Sequence, residues 1–129
     1  MFKTGMITHK DLNVWKDSMD LFEEIYLITK QFPREEIYGL TNQIRRAAVS
    51  IPVNISEGCA RNYSGDYIRF LGISRGSLSE LETLILLSSR IQYMDDVSLK
   101  LILIKIRKIN VQLSHLIKSI EKRKSSYGQ

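Results

Sequence analysis

One cysteine, Cys59, in 129 residues leaves no internal disulfide to form, which excludes the disulfide-stapled secreted domains. Two prolines and seven glycines are too few for a loop-rich or all-β chain. No apolar run approaches the roughly 20 residues that span a bilayer, and the opening MFKTGMITHK lacks the apolar core of a secretory signal. A cytoplasmic protein with no membrane partner is therefore expected. His9 and His115 are too isolated along the chain to suggest a metal, and SRGSLSE does not match a phosphate-binding glycine loop. Neither a cofactor nor a small-molecule substrate is expected. Without a recognisable base or nucleophile, no enzyme is expected either.

What is present reads as one globular domain, 43% hydrophobic and 26% charged. The net charge of +5 is unevenly placed. Residues 1–60 hold seven Lys/Arg against eight Asp/Glu, and residues 61–96 hold four against five. Residues 97–129 hold eight against one, so the whole excess lies at the C-terminal quarter.

Apolar residues recurring at helical spacing predict four helices. The first covers about Asp11 to Gln31, with Trp15, Phe22, Ile25, Thr29 and Phe32 on its stripe, and Pro33 ends it. The third runs from Ser64 to about Tyr93, and the fourth begins near Asp95/Asp96, whose carboxylates suit a helix start. Leu99, Ile102, Ile106, Ile109, Leu113, Leu116 and Ile120 give that last helix a strict seam. Gly72 and Gly76 inside the third helix are expected to permit close helix–helix approach, with a ligand on the bare backbone as the alternative.

The second helix is the contested one. In QIRRAAVSIPVNISEG, residues 43–58, Val49, Ile51, Val53 and Ile55 alternate like a strand. Ile44, Ala47/Ala48, Ile51 and Ile55 instead follow a helical period, which extends upstream where the alternation fails. No other segment supplies a partner strand, so a helix from about Glu35 to Cys59 is expected, with Thr41 after Gly39 as the alternative start. Pro52 then removes the bond to the Ala48 carbonyl at a cost of about 3 kcal/mol and should kink the helix. Gly58 is expected as its C-cap. The fold expected is all-α, an antiparallel up-down-up-down four-helix bundle over 11–122. A flexible N-terminal arm over 1–10 and a basic disordered tail over 123–129 flank it.

Two helices carry more apolar surface than a monomer buries. Leu84 to Leu87 surround the third, and Val97, Leu101, Ile104 and Val111 form a strip off the main seam of the fourth. Such faces need a second partner, so an oligomer is expected.

Leu12–Trp15 with Leu21–Tyr26, FPREEIYGLTNQIRRAAVSIPVNISEG and YIRFLGISRGSLSELET resemble the four-helix bundle family, also called 23S ribosomal RNA intervening-sequence proteins. The likeness covers about residues 11–120, with Ser56 standing where the family usually has alanine. It implies a small bacterial cytoplasmic protein of bundle fold, inclined to ring-like homo-oligomers and often pentamers. Some members are encoded within insertions in ribosomal RNA genes. A distantly similar group serves as nucleic-acid-binding accessory proteins of retroelements.

Two surfaces are candidates for function. On a helical wheel Lys100, Arg107, Lys108, Lys118 and Lys122 fall within an arc of about 100° opposite the seam, extended by Arg123 and Lys124. Such a stripe could follow the phosphates of RNA or DNA, recognised by charge and shape. The bland counterpart is a solubilising face, and the rival function is an oligomeric scaffold or adaptor for another protein. The other surface is a polar stripe, Gln43, Arg46, Ser50, Asn54 and Glu57, joined by Arg45 and Glu80. It is expected to be a structural network with arginine–carboxylate pairs. A catalytic cluster built on Arg46, Asn54 and Glu57 is the remaining alternative.

Overall fold

The computed structural model describes residues 8–126, with side chains as far as Arg123. Four helices form: α1 (Asn13–Thr29), α2 (Leu40–Cys59), α3 (Ser64–Arg90) and α4 (Asp96–Ser126). Short 3-10 turns at His9–Asp11 and Arg34–Glu36 precede the first two, and there is no strand among the described residues. In this all-α four-helix bundle, α1 and α3 each pack against both α2 and α4. Of the expected arm, residues 1–7 lie outside the described residues, while Thr8 leads into the first 3-10 turn. The fourth helix continues past the expected boundary at Lys122 to Ser126, and 127–129 lie outside the described residues.

The helical reading of residues 43–58 holds. Ile44, Ala47, Ala48, Ile51, Pro52 and Ile55 are buried along one face of α2, while Val49 and Val53 emerge on its outer side. They join Leu21, Ile25, Leu71, Leu78, Leu81, Ile85, Ile102, Ile109 and Leu113 in one core. Burying each of the leucines and isoleucines is worth roughly 1.5–3 kcal/mol. Four buried hydroxyls are matched by donating to carbonyls. Ser18, Thr29 and Ser88 reach back along their own helices to Trp15, Ile25 and Leu84, and Ser74 crosses from α3 to the Ile51 carbonyl at 2.7 Å.

The helix ends follow from local chemistry. Asp95 accepts from the Ser98 amide at 2.7 Å, and that bond holds its carboxyl below the usual range. Glu36 does two jobs at once. One oxygen caps α2 at the Leu40 amide (3.2 Å), and the other accepts from the Tyr93 hydroxyl at 2.8 Å. That second bond holds the Tyr93 phenol above its ordinary value. α3 stops at Arg90, short of the expected Tyr93, because Gln92 takes a left-handed φ of 65°. The Gln92 and Tyr93 amides then return to the Ser89 and Ser88 carbonyls, closing the helix in a Schellman motif.

Three expectations about glycines are corrected. Gly58 is not the cap of α2, which ends at Cys59 with Ala60 as its C-cap; it is buried where α2 meets α3. A Cβ there would stand 2.9 Å from Phe70 Cβ and 3.2 Å from the Tyr67 carbonyl oxygen. Gly72 and Gly76 are exposed, and a Cβ on either would meet nothing within 4 Å, so they permit no close approach within the chain. Gly72→Ala and Gly76→Ala should therefore each raise stability by about 0.5–1 kcal/mol, read as a higher thermal midpoint. A lowered midpoint would mean that something packs on those glycines in solution.

Candidate nucleic-acid interface

α4 turns its seam inward and leaves a mixed face outside. Ile102, Ile106, Ile109, Leu113, Ile117 and Ile120 are buried, with Leu99 and Leu116 partly so. The drift from Leu116 to Ile117 follows because a seven-residue repeat slips by about 20° per heptad on a straight helix. Outside, Lys100, Arg107, Lys108, Lys118, Lys122 and Arg123 are all exposed. Lys124 lies in the helix, its side chain outside the described residues. Val97 (70% exposed), Leu101, Ile104 (60%) and Val111 are interleaved with the first three of those cations.

The edge of this face that meets α1 is already answered by acids. Lys105 pairs with Glu24, Lys108 with Asp17 at 3.3 Å, and the Gln112 amide donates to Asp17 at 2.9 Å. Such exposed pairs are worth at most about 1 kcal/mol each. They nevertheless set Lys108 apart from Lys100, Arg107, Lys118, Lys122 and Arg123, which have no ion pair among the described residues. Beyond Val111 the exposed positions are His115, Lys118, Ser119, Glu121, Lys122 and Arg123. α4 thus divides along its length into an apolar-basic half and a basic half.

The α2–α3 connection brings further positive charge, which inspection of α4 alone could not find. The Arg61 and Arg69 guanidiniums both sit over the Phe70 ring, 4.6 and 4.5 Å from its centroid. Tyr63, two residues from Arg61 along the chain, is 74% exposed. Burial pushes the nearby Tyr67 phenol up, Cys59 against it adds to that, and Arg123 opposes it. The signal in the sequence was a second arginine pair flanking an aromatic, at 61 and 69.

The predicted polar stripe is only partly assembled. Ser50 meets Ser77 of α3 at 2.7 Å, and the Asn54 amide donates to the Ser50 carbonyl and hydroxyl at 2.8 and 3.0 Å. Arg45 turns away to α1, where its Nε donates to Thr29 at 2.9 Å and its guanidinium lies 4.0 Å from the Tyr26 ring centroid. Glu57 pairs with Arg61 at 3.3 Å on the surface. Gln43, Arg46 and Glu80 are exposed. No arginine on α2 pairs with a carboxylate among the described residues, so the arginine–carboxylate part of that expectation is not what forms. Arg46 instead borders an apolar groove with Phe22, Tyr26, Val49 and Val53.

Among the described residues no helix is long and apolar enough to cross a membrane, and no three His, Cys, Asp or Glu side chains gather as a metal would need. A family model described as 23S rRNA-intervening sequence protein matches residues 10–115. The fold is similar to a crystal structure at 1.70 Å of a protein with unknown function from the S23 ribosomal protein family of Bacteroides thetaiotaomicron VPI-5482. That likeness has a TM-score of 0.74 and 25% identity, covering 81% of this chain and 98% of the other. Comparison with curated proteins gives no match.

Proposed function

The chain belongs to the 23S rRNA-intervening sequence protein family, and on that premise we propose that it is a non-catalytic, homo-oligomeric, cytoplasmic bundle protein that binds RNA or DNA by charge and shape. The observation that carries this reading is the exposed basic half of α4. Residues 97–129 hold eight Lys/Arg against one Asp/Glu, and Lys118, Lys122 and Arg123 stand exposed without an ion pair among the described residues. Positive side chains free of local partners release counterions from a phosphate backbone when they bind it. An electrophoretic shift of structured RNA that disappears as salt is raised supports this function. No shift at low salt overturns it.

Within this reading the helices run antiparallel. Residues of α3 and α4 border one groove, and the action of Arg123, late in α4, on Tyr67, early in α3, supports opposed directions for these two helices. α2 bends at Pro52, and the Ser74 hydroxyl on the Ile51 carbonyl helps hold the backbone there.

The apolar half of α4 supports self-association, and a ring, with the pentamer the resemblance implies, is the assembly we favour. Lys100, Arg107 and Lys108 share that half with Val97, Leu101, Ile104 and Val111, so they belong to the contact between copies more than to nucleic acid. Ile104→Glu with Val111→Glu should reduce the mass measured by light scattering to that of one chain. An unchanged assembly mass would remove this face from the contact. The same apolar strip favours the second reading, a scaffold whose partner is another protein. That reading predicts that neutralising Lys118, Lys122 and Arg123 changes nothing in partner capture.

A further inference from the structure

Tyr63 has no explanation within the fold. It stands just ahead of the first turn of α3, is 74% exposed, and makes no capping bond with its side chain. A Ser, Thr, Asn or Asp in that place is favoured by about 1 kcal/mol, and Asn62 and Ser64 on either side are residues of that kind. The chain keeps an aromatic ring in water where packing gains nothing and a smaller polar residue would hold the helix better.

Its surroundings are those of a nucleotide platform. Arg61 and Arg69 are both held over the Phe70 ring, which restricts two long side chains that would otherwise sample many rotamers. Phe70 itself is packed against Gly58 on the other side. Arg61 also touches Glu57 at 3.3 Å on the surface, whereas Arg69 has no ion pair among the described residues. The C-terminal turns of α4 reach the same end of the bundle. Arg123, late in α4, acts on the Tyr67 phenol, early in α3. From Arg123, Lys122 is the adjacent residue and Lys118 lies five residues, about 7.5 Å, back along the same helix. Against these cations the acids at this end are Glu57, Asp66 and Glu121.

We propose that this end of the bundle, formed by Arg61, Tyr63, Arg69, Lys118, Lys122 and Arg123, binds an unpaired stretch of nucleic acid, with a base stacked on Tyr63 and the flanking phosphates on the cations. A duplex hides its base faces in the stack, so a solvent-exposed ring serves only bases that are splayed out. Charge alone would not need the ring, and the ring alone would not need two fixed guanidiniums beside it. The inference rests on the nucleic-acid reading and adds to it the kind of strand and three residues outside α4.

The test is fluorescence anisotropy with labelled single strands of about 12 nucleotides, a length within the range such platforms cover. RNA and DNA versions and the matching duplexes are titrated at low salt. Tyr63→Ala should weaken single-strand binding roughly tenfold to a hundredfold and leave duplex binding nearly unchanged. Tyr63→Phe should bind like the unaltered protein, and Arg61→Ala with Arg69→Ala should weaken both ligands. Single-strand binding by Tyr63→Ala equal to that of the unaltered protein overturns the inference alone, as does equal loss on single strand and duplex. If the unaltered protein binds neither ligand, the inference and the reading beneath it fall together.

Discussion

Gly58→Val is expected to cost the bundle about 3 kcal/mol, at the upper end of what overpacking a core does. The site offers no inexpensive relief. The first atom in the way is Phe70 Cβ at 2.9 Å, with a ring carbon of Tyr67 at 3.0 Å and the Tyr67 carbonyl oxygen at 3.2 Å. Two of these are fixed by the α3 backbone, so the helices themselves must separate. Helix propensity works the other way, since any side chain here improves on glycine by up to about 1 kcal/mol. For Gly58→Ala the two effects oppose each other closely, and a smaller net loss is expected. For Gly58→Val the added methyls enlarge the clash while β-branching reduces the gain. Chemical denaturation measures it; a midpoint equal to that of the unaltered protein would mean α2 and α3 are not as close as described.

Reversing Lys118, Lys122 and Arg123 to glutamate is expected to reduce nucleic-acid affinity at least about a hundredfold at low salt. Each cation that contacts a phosphate contributes about one unit to the slope of log affinity against log salt, so that slope should fall by about three. Stability should scarcely change, because all three side chains are exposed and none is in an ion pair among the described residues. Reversing Lys108 alone should do less to binding. Its neighbour is Asp17, so the change places two carboxylates together and its effect falls on the α1–α4 contact. Affinity that survives the triple reversal with an unchanged slope would move the phosphate contacts elsewhere.

Much of the architecture could be read from residue spacing because each relevant signal is local. Asp95 starts the fourth helix and Ile44 to Ile55 keep their helical period straight through Pro52, whereas the first helix stops at Thr29, two residues short of the expected Gln31 and four ahead of Pro33. What escaped were matters settled between helices. A wheel drawn for α2 places Arg45 beside Arg46, but Thr29 and Tyr26 of α1 draw it aside. A wheel drawn for α4 treats its lysines alike, and only the position of Asp17 and Glu24 separates Lys105 and Lys108 from the rest. Glycines in a helix read identically from sequence, although Gly58 is enclosed and Gly72 and Gly76 face open space. The end of α3 was misplaced because Gln92 takes the left-handed conformation that glycine usually announces. Tyr63 drew no notice since its oddity lies in the absence of both packing and capping.

The measurement that bears most directly on the account is a binding titration of the purified protein against a structured ribosomal RNA fragment and an unrelated duplex, at low and moderate salt. The account predicts binding that weakens steeply as salt rises, with the fragment bearing unpaired loops held more tightly than the duplex. No binding to either at low salt would contradict it and leave the exposed faces of α4 to a protein partner.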